Sequence, residues 1–179
     1  MKIIVSYCGK YEAKVDDDDY EKLKGHTWSY HKPSSEGSSG YLTTKPSDRP
    51  HKVRMHELII GKEPGKVVDH IDGDGLNNQK HNLRFATSTQ NAWNRKPPNG
   101  RKYKGTRYEK NRRCWYAEIY AHGVKYHCGS FETEEDAARA YDKRARELHG
   151  EFARLNFPDA GPQPSPQEKP DNDNAGNST

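Results

Sequence analysis

The strongest constraint on this chain is a break at Lys96-Pro97-Pro98-Asn99-Gly100-Arg101-Lys102. Adjacent prolines remove backbone donors and push the preceding residue out of helical geometry, and Asn-Gly favours a turn, so no helix or strand continues through it. The sequence must therefore fold as modules on either side of a basic linker, residues 96–102. Only 30% of the 179 residues are hydrophobic and 31% are charged, which suits several thin cores better than one large one. No long apolar run offers a membrane span, and the start Met1-Lys2-Ile3-Ile4-Val5-Ser6-Tyr7-Cys8 lacks the pattern of a secretory signal. Cysteines 8, 114 and 128 include no Cys-x-x-Cys pair, so neither a disulfide framework nor a four-cysteine zinc knuckle can be built. A reducing, cytoplasmic setting with no membrane contact is expected.

Charge is unevenly placed. Residues 1–48 carry 7 basic and 8 acidic groups, 49–158 carry 22 and 14, and 159–179 carry 1 and 4. All the positive excess lies in the middle stretch, as expected of a protein that meets phosphates, although a solvated basic face has the same signature. The last 21 residues are rich in Pro, Asn, Asp, Gly and Ser and predict a disordered tail. Residues 1–55 read as a small β-rich unit. Within it the Ser/Gly-rich stretch 33–40 predicts a hairpin loop, and Asp16-Asp17-Asp18-Asp19 is expected to open a short helix over Tyr20 to Lys24. Val53 to Leu58 reads as a strand carrying His56, for which a structural role is favoured over a phosphate contact.

The segment 56–95 holds the residues with chemistry. Val67-Val68-Asp69-His70 predicts a short buried strand, Asp72-Gly73-Asp74-Gly75 a turn, Asn82-Leu83-Arg84-Phe85-Ala86 a second strand, and Thr87 to Arg95 a helix opened by a Thr87/Gln90 capping box. The turn is not a calcium-binding EF-hand: its fifth position would be Leu76, its required glycine Asn77 and its bidentate glutamate Leu83. Taken alone, an Asp-His pair in a loop is most often a satisfied surface pair.

The four elements Met55-His56-Glu57-Leu58-Ile59, Val68-Asp69-His70-Ile71-Asp72-Gly73, Asn82-Leu83-Arg84 and Gln90-Asn91-Ala92-Trp93-Asn94-Arg95 together resemble the HNH endonuclease family, in its phage and bacterial homing-endonuclease branch. The resemblance implies a ββα-metal module in which His70 is the general base, Asn82 holds the histidine or the loop, and Asp69 and Asn91 are metal ligands. Asn91 stands where the family signature has histidine, which fits an oxygen-liganded Mg²⁺ or Mn²⁺ better than zinc. The chemistry asks for these residue types in any case. Phosphodiester hydrolysis needs a deprotonated water and a counter-charge for the phosphate, and histidine, with an ordinary pKa near 6.5, is neutral yet basic at cellular pH.

Beyond the linker, Trp115-Tyr116-Ala117-Glu118-Ile119-Tyr120 alternates between two faces, Lys125 to Phe131 returns as its hairpin partner, and Gly105-Thr106-Arg107-Tyr108 precedes them. Thr133 opens a helix to Leu148, with Ala137, Tyr141, Ala145 and Leu148 as its apolar stripe, while Arg139, Lys143 and Arg144 read as its solvated side. Tyr103-Lys104-Gly105-Thr106-Arg107, the strand Trp115 to Ile119, the run Gly129 to Asp142 and Leu155-Asn156-Phe157-Pro158 resemble the plant ethylene-response-factor DNA-binding domain. That implies a three-stranded antiparallel sheet entering the major groove, with contacts from Lys104, Arg107, Glu118, Tyr120, Lys125 and His127. Several family arginines and a tryptophan are replaced here, so the plant target sequence does not transfer. Arg95 and Lys96, at the start of the basic linker, are further DNA-binding candidates.

The expectation is thus an α+β chain: a β-rich unit at 1–55, the nuclease module at 56–95, the linker, a sheet-on-helix module at 103–158 and a tail at 159–179. Its expected function is metal-dependent hydrolysis of double-stranded DNA by a monomer or weak dimer. The alternative is a non-catalytic, sequence-specific DNA-binding regulator on the same scaffold. A protein that binds or cuts RNA fits less well, because a sheet shaped for a wide major groove does not enter that of RNA.

Overall fold

Alternation of apolar residues along short segments, separated by turn residues, yields ten strands and four helices in a computed structural model that describes residues 1–32, 39–48, 50–97 and 100–158. Most of the stretch expected as a hairpin loop, Pro98 and Asn99 of the linker, and the expected tail lie outside the described residues. The architecture is α+β, in two compact units, residues 1–99 and 100–179. None of the described helices is long and apolar enough to cross a membrane.

In the first unit β1 (Lys2–Val5) and β2 (Glu12–Val15) form an antiparallel hairpin, with Lys2 opposite Val15 and Val5 opposite Glu12. Helix α1 (Asp17–Leu23) follows, three residues earlier than expected, because Asp16 takes the N-cap position and Asp17, Asp18 and Asp19 all fall in the first turn. There their charge complements the positive end of the helix dipole. Strands β3 (Ser29–His31), β4 (Tyr41–Thr44) and β5 (Val53–Arg54) make a second antiparallel sheet. Ile4, Ala13, Val15, Leu23, Trp28, Leu42 and Met55 form the core, and the Trp28 indole donates to the Leu23 carbonyl at 3.0 Å.

The strand expected over Val53 to Leu58 ends at Arg54. Met55–Ile60 is instead the short helix α2, started by a reciprocal Arg54/Glu57 capping pair, with Met55 in the core and Leu58 and Ile59 packed against it. The apolar run could have served either period, and the cap at its start decides for the helix. His56 is therefore a helical residue.

Strands β6 (Val67–His70) and β7 (Leu83–Ala86) pair antiparallel, and α3 (Ser88–Trp93) packs on both. Thr87 accepts from the Gln90 backbone N–H and Gln90 reaches back to Thr87, the capping box the sequence predicts. Asn82 lies just before β7, at the end of a single 3₁₀ turn, Lys80–Asn82.

In the second unit β8 (Thr106–Glu109), β9 (Cys114–Ala121) and β10 (Val124–Phe131) form an antiparallel sheet in the order β10-β9-β8. His122 and Gly123 turn between β9 and β10 with φ of 52° and 78°, a two-residue turn whose left-handed backbone suits the strand twist. Helix α4 (Glu134–His149) begins at the Thr133 cap, and its alanines, Ala137, Ala140 and Ala145, let it lie close on Ala117, Ile119 and Phe131. Asp142 accepts the backbone N–H groups of Asn156 and Phe157, each at 2.8 Å, and so fastens the segment after α4 to the helix.

Candidate active site

The β6–β7 register sets Asp69 directly opposite Arg84 and His70 opposite Leu83. The cross-strand neighbour thus becomes an ion pair: Arg84 donates from Nε at 2.9 Å and from a terminal nitrogen at 2.8 Å to Asp69 Oδ2. Asp69 is only 4% exposed, so a partner for its charge is an energetic requirement. Asn94, just past α3, supplies a second. Its Nδ2 lies 3.0 and 3.2 Å from the two carboxylate oxygens, 2.8 Å from the His70 carbonyl and 3.2 Å from that of Ile71. One amide thereby ties the strand end, its carboxylate and the helix together.

His70 Nε2 lies 3.3 Å from Asn78 Oδ1, and the ring sits edge-on to His56 with centroids 5.1 Å apart. Burial holds the His70 pKa below its usual value despite the opposing hydrogen bond and the nearby aspartates, so the ring is neutral at neutral pH and able to accept a proton. His56 is 5% exposed, and burial, with His70 beside it, depresses its pKa to about 3. Its Nδ1 is buried and finds no hydrogen-bond partner among the described residues.

Asn82 touches the loop and not the histidine. Its Oδ1 accepts from the Asp72 backbone N–H at 3.0 Å, and its Nδ2 donates to Asp72 Oδ1 at 2.9 Å and to the Asn77 carbonyl at 2.8 Å. For Asp72, burial pushes the carboxyl pKa up, but the Asp74 N–H and the Asn77 and Asn82 amides outweigh it and hold the group ionised. The turn is therefore a polar knot that fixes where β6 ends.

Asp69, His70 and Asn91 line one cleft of about 300 Å³, whose walls also carry Arg54, Arg95 and Lys96. Three cations around one carboxylate suit an anionic occupant. The Asn91 side chain makes no hydrogen bond among the described residues, and Asp69 Oδ1 is engaged only by Asn94. Both residues line the cleft and offer hard oxygens, a donor set compatible with an ion such as Mg²⁺ that keeps most of its coordination in water and phosphate. No group of three His, Cys, Asp or Glu side chains forms a metal site among the described residues.

In the second unit the sheet face opposite α4 carries Arg107, Glu118, Tyr120, Lys125 and His127, together with Tyr116, which the alternation places on this face although it is not among the expected DNA contacts. Glu118 stands between two cations, 2.8 Å from Lys125 Nζ and 3.5 Å from Arg107, and Arg107 also reaches Glu109 at 2.8 Å. Burial raises the Glu118 pKa, but the pull of Lys125 and Arg107 exceeds it and the net shift is downward. Arg107 lies over the Tyr116 ring and His127 beside it, at 5.1 and 5.0 Å. Lys104 sits ahead of β8, its backbone clasped by Asn156 through bonds of 2.7 and 3.0 Å. Arg95 and Lys96 line the cleft of the first unit.

The sequence reading therefore missed Arg84, Asn94 and Asn78 as partners of Asp69 and His70. Arg84 could have been found by drawing the β6–β7 register, and Asn94 by its position three residues after Asn91. No local pattern points to Asn78.

Known proteins resemble the chain in several regions. The HNH endonuclease family profile matches residues 53–93. Protein 3.8 of Escherichia phage T7 is 41% identical over 106 residues, 58% of this chain and 87% of that protein. An uncharacterised HNH endonuclease of Acanthamoeba polyphaga mimivirus is 37% identical over 126 residues, 67% of this chain and 64% of that one. More weakly, an ethylene-responsive transcription factor of Arabidopsis thaliana is 35% identical over 96 residues, 51% of this chain and 59% of that factor. No solved structure matches.

Proposed function

Since this chain belongs to the HNH endonuclease family and is a DNA nuclease, we propose that it is a metal-dependent, homing-type enzyme that cuts double-stranded DNA, positioned by its C-terminal sheet. The observation that carries the reading is that Asp69, His70 and Asn91 line one cleft together with three cations, Arg54, Arg95 and Lys96.

His70 takes the proton from the attacking water, a role its neutral form allows and one that contributes about 10²–10⁴-fold. Asp69 Oδ1 and the Asn91 amide oxygen are the groups that would hold a divalent ion. Such an ion, Mg²⁺ or Mn²⁺, supplies counter-charge to the phosphate and the leaving oxygen. Arg84 and Asn94 hold the Asp69 carboxylate in place, and Asn82 sets the loop that follows His70. Arg54, Arg95 and Lys96 attract the DNA backbone to the cleft.

The outward sheet face of the second unit is assigned to the DNA major groove. Arg107 and Lys125 suit guanine edges or phosphates and Glu118 suits a cytosine amino group. Tethering this binder to the nuclease raises the local concentration of each on the same duplex.

The test incubates supercoiled plasmid with the protein and with its His70→Ala variant, with Mg²⁺ and with chelator. Metal-dependent nicking or linearisation lost in the variant is expected. Equal cutting by both would remove His70 as the base, and cutting in chelator would remove the metal.

A further inference from the structure

We propose that Asn78, held in place by the N-terminal hairpin, is the positioning residue that fixes which ring nitrogen of His70 carries the lone pair. The proposal rests on the reading of His70 as the base.

Asn78 is 1% exposed, and its amide spans two partners of different kinds. One end faces the Gly75 carbonyl at 3.3 Å and the other faces His70 Nε2, also at 3.3 Å. A carbonyl only accepts, so the NH₂ must be the end that meets Gly75, and the oxygen must be the end that meets the ring. An amide oxygen also only accepts, so Nε2 has to be the protonated nitrogen of the neutral ring. Nδ1 is then the nitrogen that carries the lone pair. The tautomer of a histidine is set by the bond its other nitrogen makes, and here that bond comes from Asn78.

What holds Asn78 lies outside the β6–β7–α3 segment. The Lys14 backbone in β2 donates to the Leu76 carbonyl and accepts from the Asn78 N–H, both at 2.8 Å, so the loop runs beside β2 like a short parallel strand. Asp16 accepts from Gln79 Nε2 at 3.1 Å and from the Lys80 N–H at 2.8 Å, and Lys80 Nζ reaches the buried Asp19 at 3.0 Å. At the other end Gly75 approaches Gly40 so closely that a Cβ would lie 2.5 Å from the Gly40 carbonyl oxygen. Any side chain at 75 would displace the carbonyl that orients the amide. The hairpin and β4 region thus brace the histidine from behind, through one asparagine. Asn82, to which the family resemblance gave that task as one of two options, is occupied by Asp72 and Asn77.

The experiment records two-bond ¹H–¹⁵N correlations of the ¹⁵N-histidine-labelled full chain without metal, at a pH where His70 is neutral, with His70→Gln for assignment. The expected spectrum shows His70 in the Nε2–H form alone. Asn78→Ala should give a mixture of both tautomers, and Asn78→Asp, which keeps an acceptor, should restore the Nε2–H form. In plasmid cleavage Asn78→Ala should lower kcat about 10- to 100-fold with KM little changed, the scale for lost support of a catalytic group. A wild-type His70 that is Nδ1–H or mixed would overturn the proposal, and that spectrum decides even if Asn78→Ala does not fold. So would normal kcat in a folded Asn78→Ala protein. Failure of the base reading is separate: it would appear as normal cutting by His70→Ala, whatever the tautomer.

Discussion

The two units solve opposite problems. The first buries polar groups: Asp19, His56, Asp69, Asn78, Asn82 and Asn94 are all inside, and each except His56 has a hydrogen-bond or ion-pair partner among the described residues of the unit. The second buries mainly alanines and aromatics under its sheet, with Asp142 and His149 as buried polar exceptions, and leaves most of its charged residues outward, where Glu118 holds Arg107 and Lys125 in place. Reactive groups must be fixed to a fraction of an ångström, and directional hydrogen bonds do that better than apolar contact. A groove-reading face needs only a rigid support, which close helix–sheet packing provides.

The largest expected effect that would break this contrast is on cleavage itself. His70→Ala should cost about 10²–10⁴-fold in rate while DNA retention in a gel stays unchanged, because the outward sheet face is untouched. A variant that lost binding as well would mean that the first unit holds the duplex. Next comes Tyr141→Ala. Tyr141 is 2% exposed beneath the sheet, and its truncation should destabilise the second unit by about 3–5 kcal/mol. Amide exchange read by mass spectrometry should accelerate across residues 103–158 and not in 1–97. Acceleration in both would show that the units fold as one.

Asn94→Ala should cost less, about 1–3 kcal/mol, since the Asp69 carboxylate keeps Arg84 but loses its second partner. Its cutting should fall further than its stability implies. Normal cutting at reduced stability would make the buried polar network a packing device, and the contrast between the units would disappear. Arg107→Ala should weaken DNA binding roughly tenfold with unchanged melting, measured as Kd at fixed salt. Unchanged affinity would take Arg107 off the interface.

These differences also govern what could be read from sequence. Trp115, Ala117 and Ile119 alternate with Tyr116, Glu118 and Tyr120, and that period alone told the two faces of β9 apart, because strand geometry admits no other arrangement. The Thr87/Gln90 cap was legible for the same reason: it is a bond between residues three apart. His56 was placed on a strand because Val53 to Leu58 is short and apolar enough for either period, and only the Arg54/Glu57 pairing selects α2. Asn78 was invisible. Its partners, Lys14 and His70, lie 64 positions before it and 8 before it, and no local period connects groups brought together by two separate hairpins.

The smallest effect is also the most discriminating, because the same bond occurs once in each unit. Thr87 caps α3 by accepting the Gln90 N–H at 3.2 Å, and Thr133 caps α4 by accepting the Asp136 N–H at 3.1 Å. Replacing either by alanine should cost about 1 kcal/mol of stability, the usual value for a lost N-cap. The functional costs should differ. α3 is one and a half turns long and carries Asn91, with Asn94 directly after it, so a frayed first turn displaces two groups of the cleft. α4 has sixteen residues and presses on the sheet along its length, so fraying at Glu134 leaves the outward face where it was. Thr87→Ala should therefore cut plasmid more slowly at unchanged DNA affinity, and Thr133→Ala should match the wild type in both, at a temperature well below either melting point. Equal activities would show that the first unit tolerates looseness as the second does, and that the buried polar network does not set the geometry of the cleft.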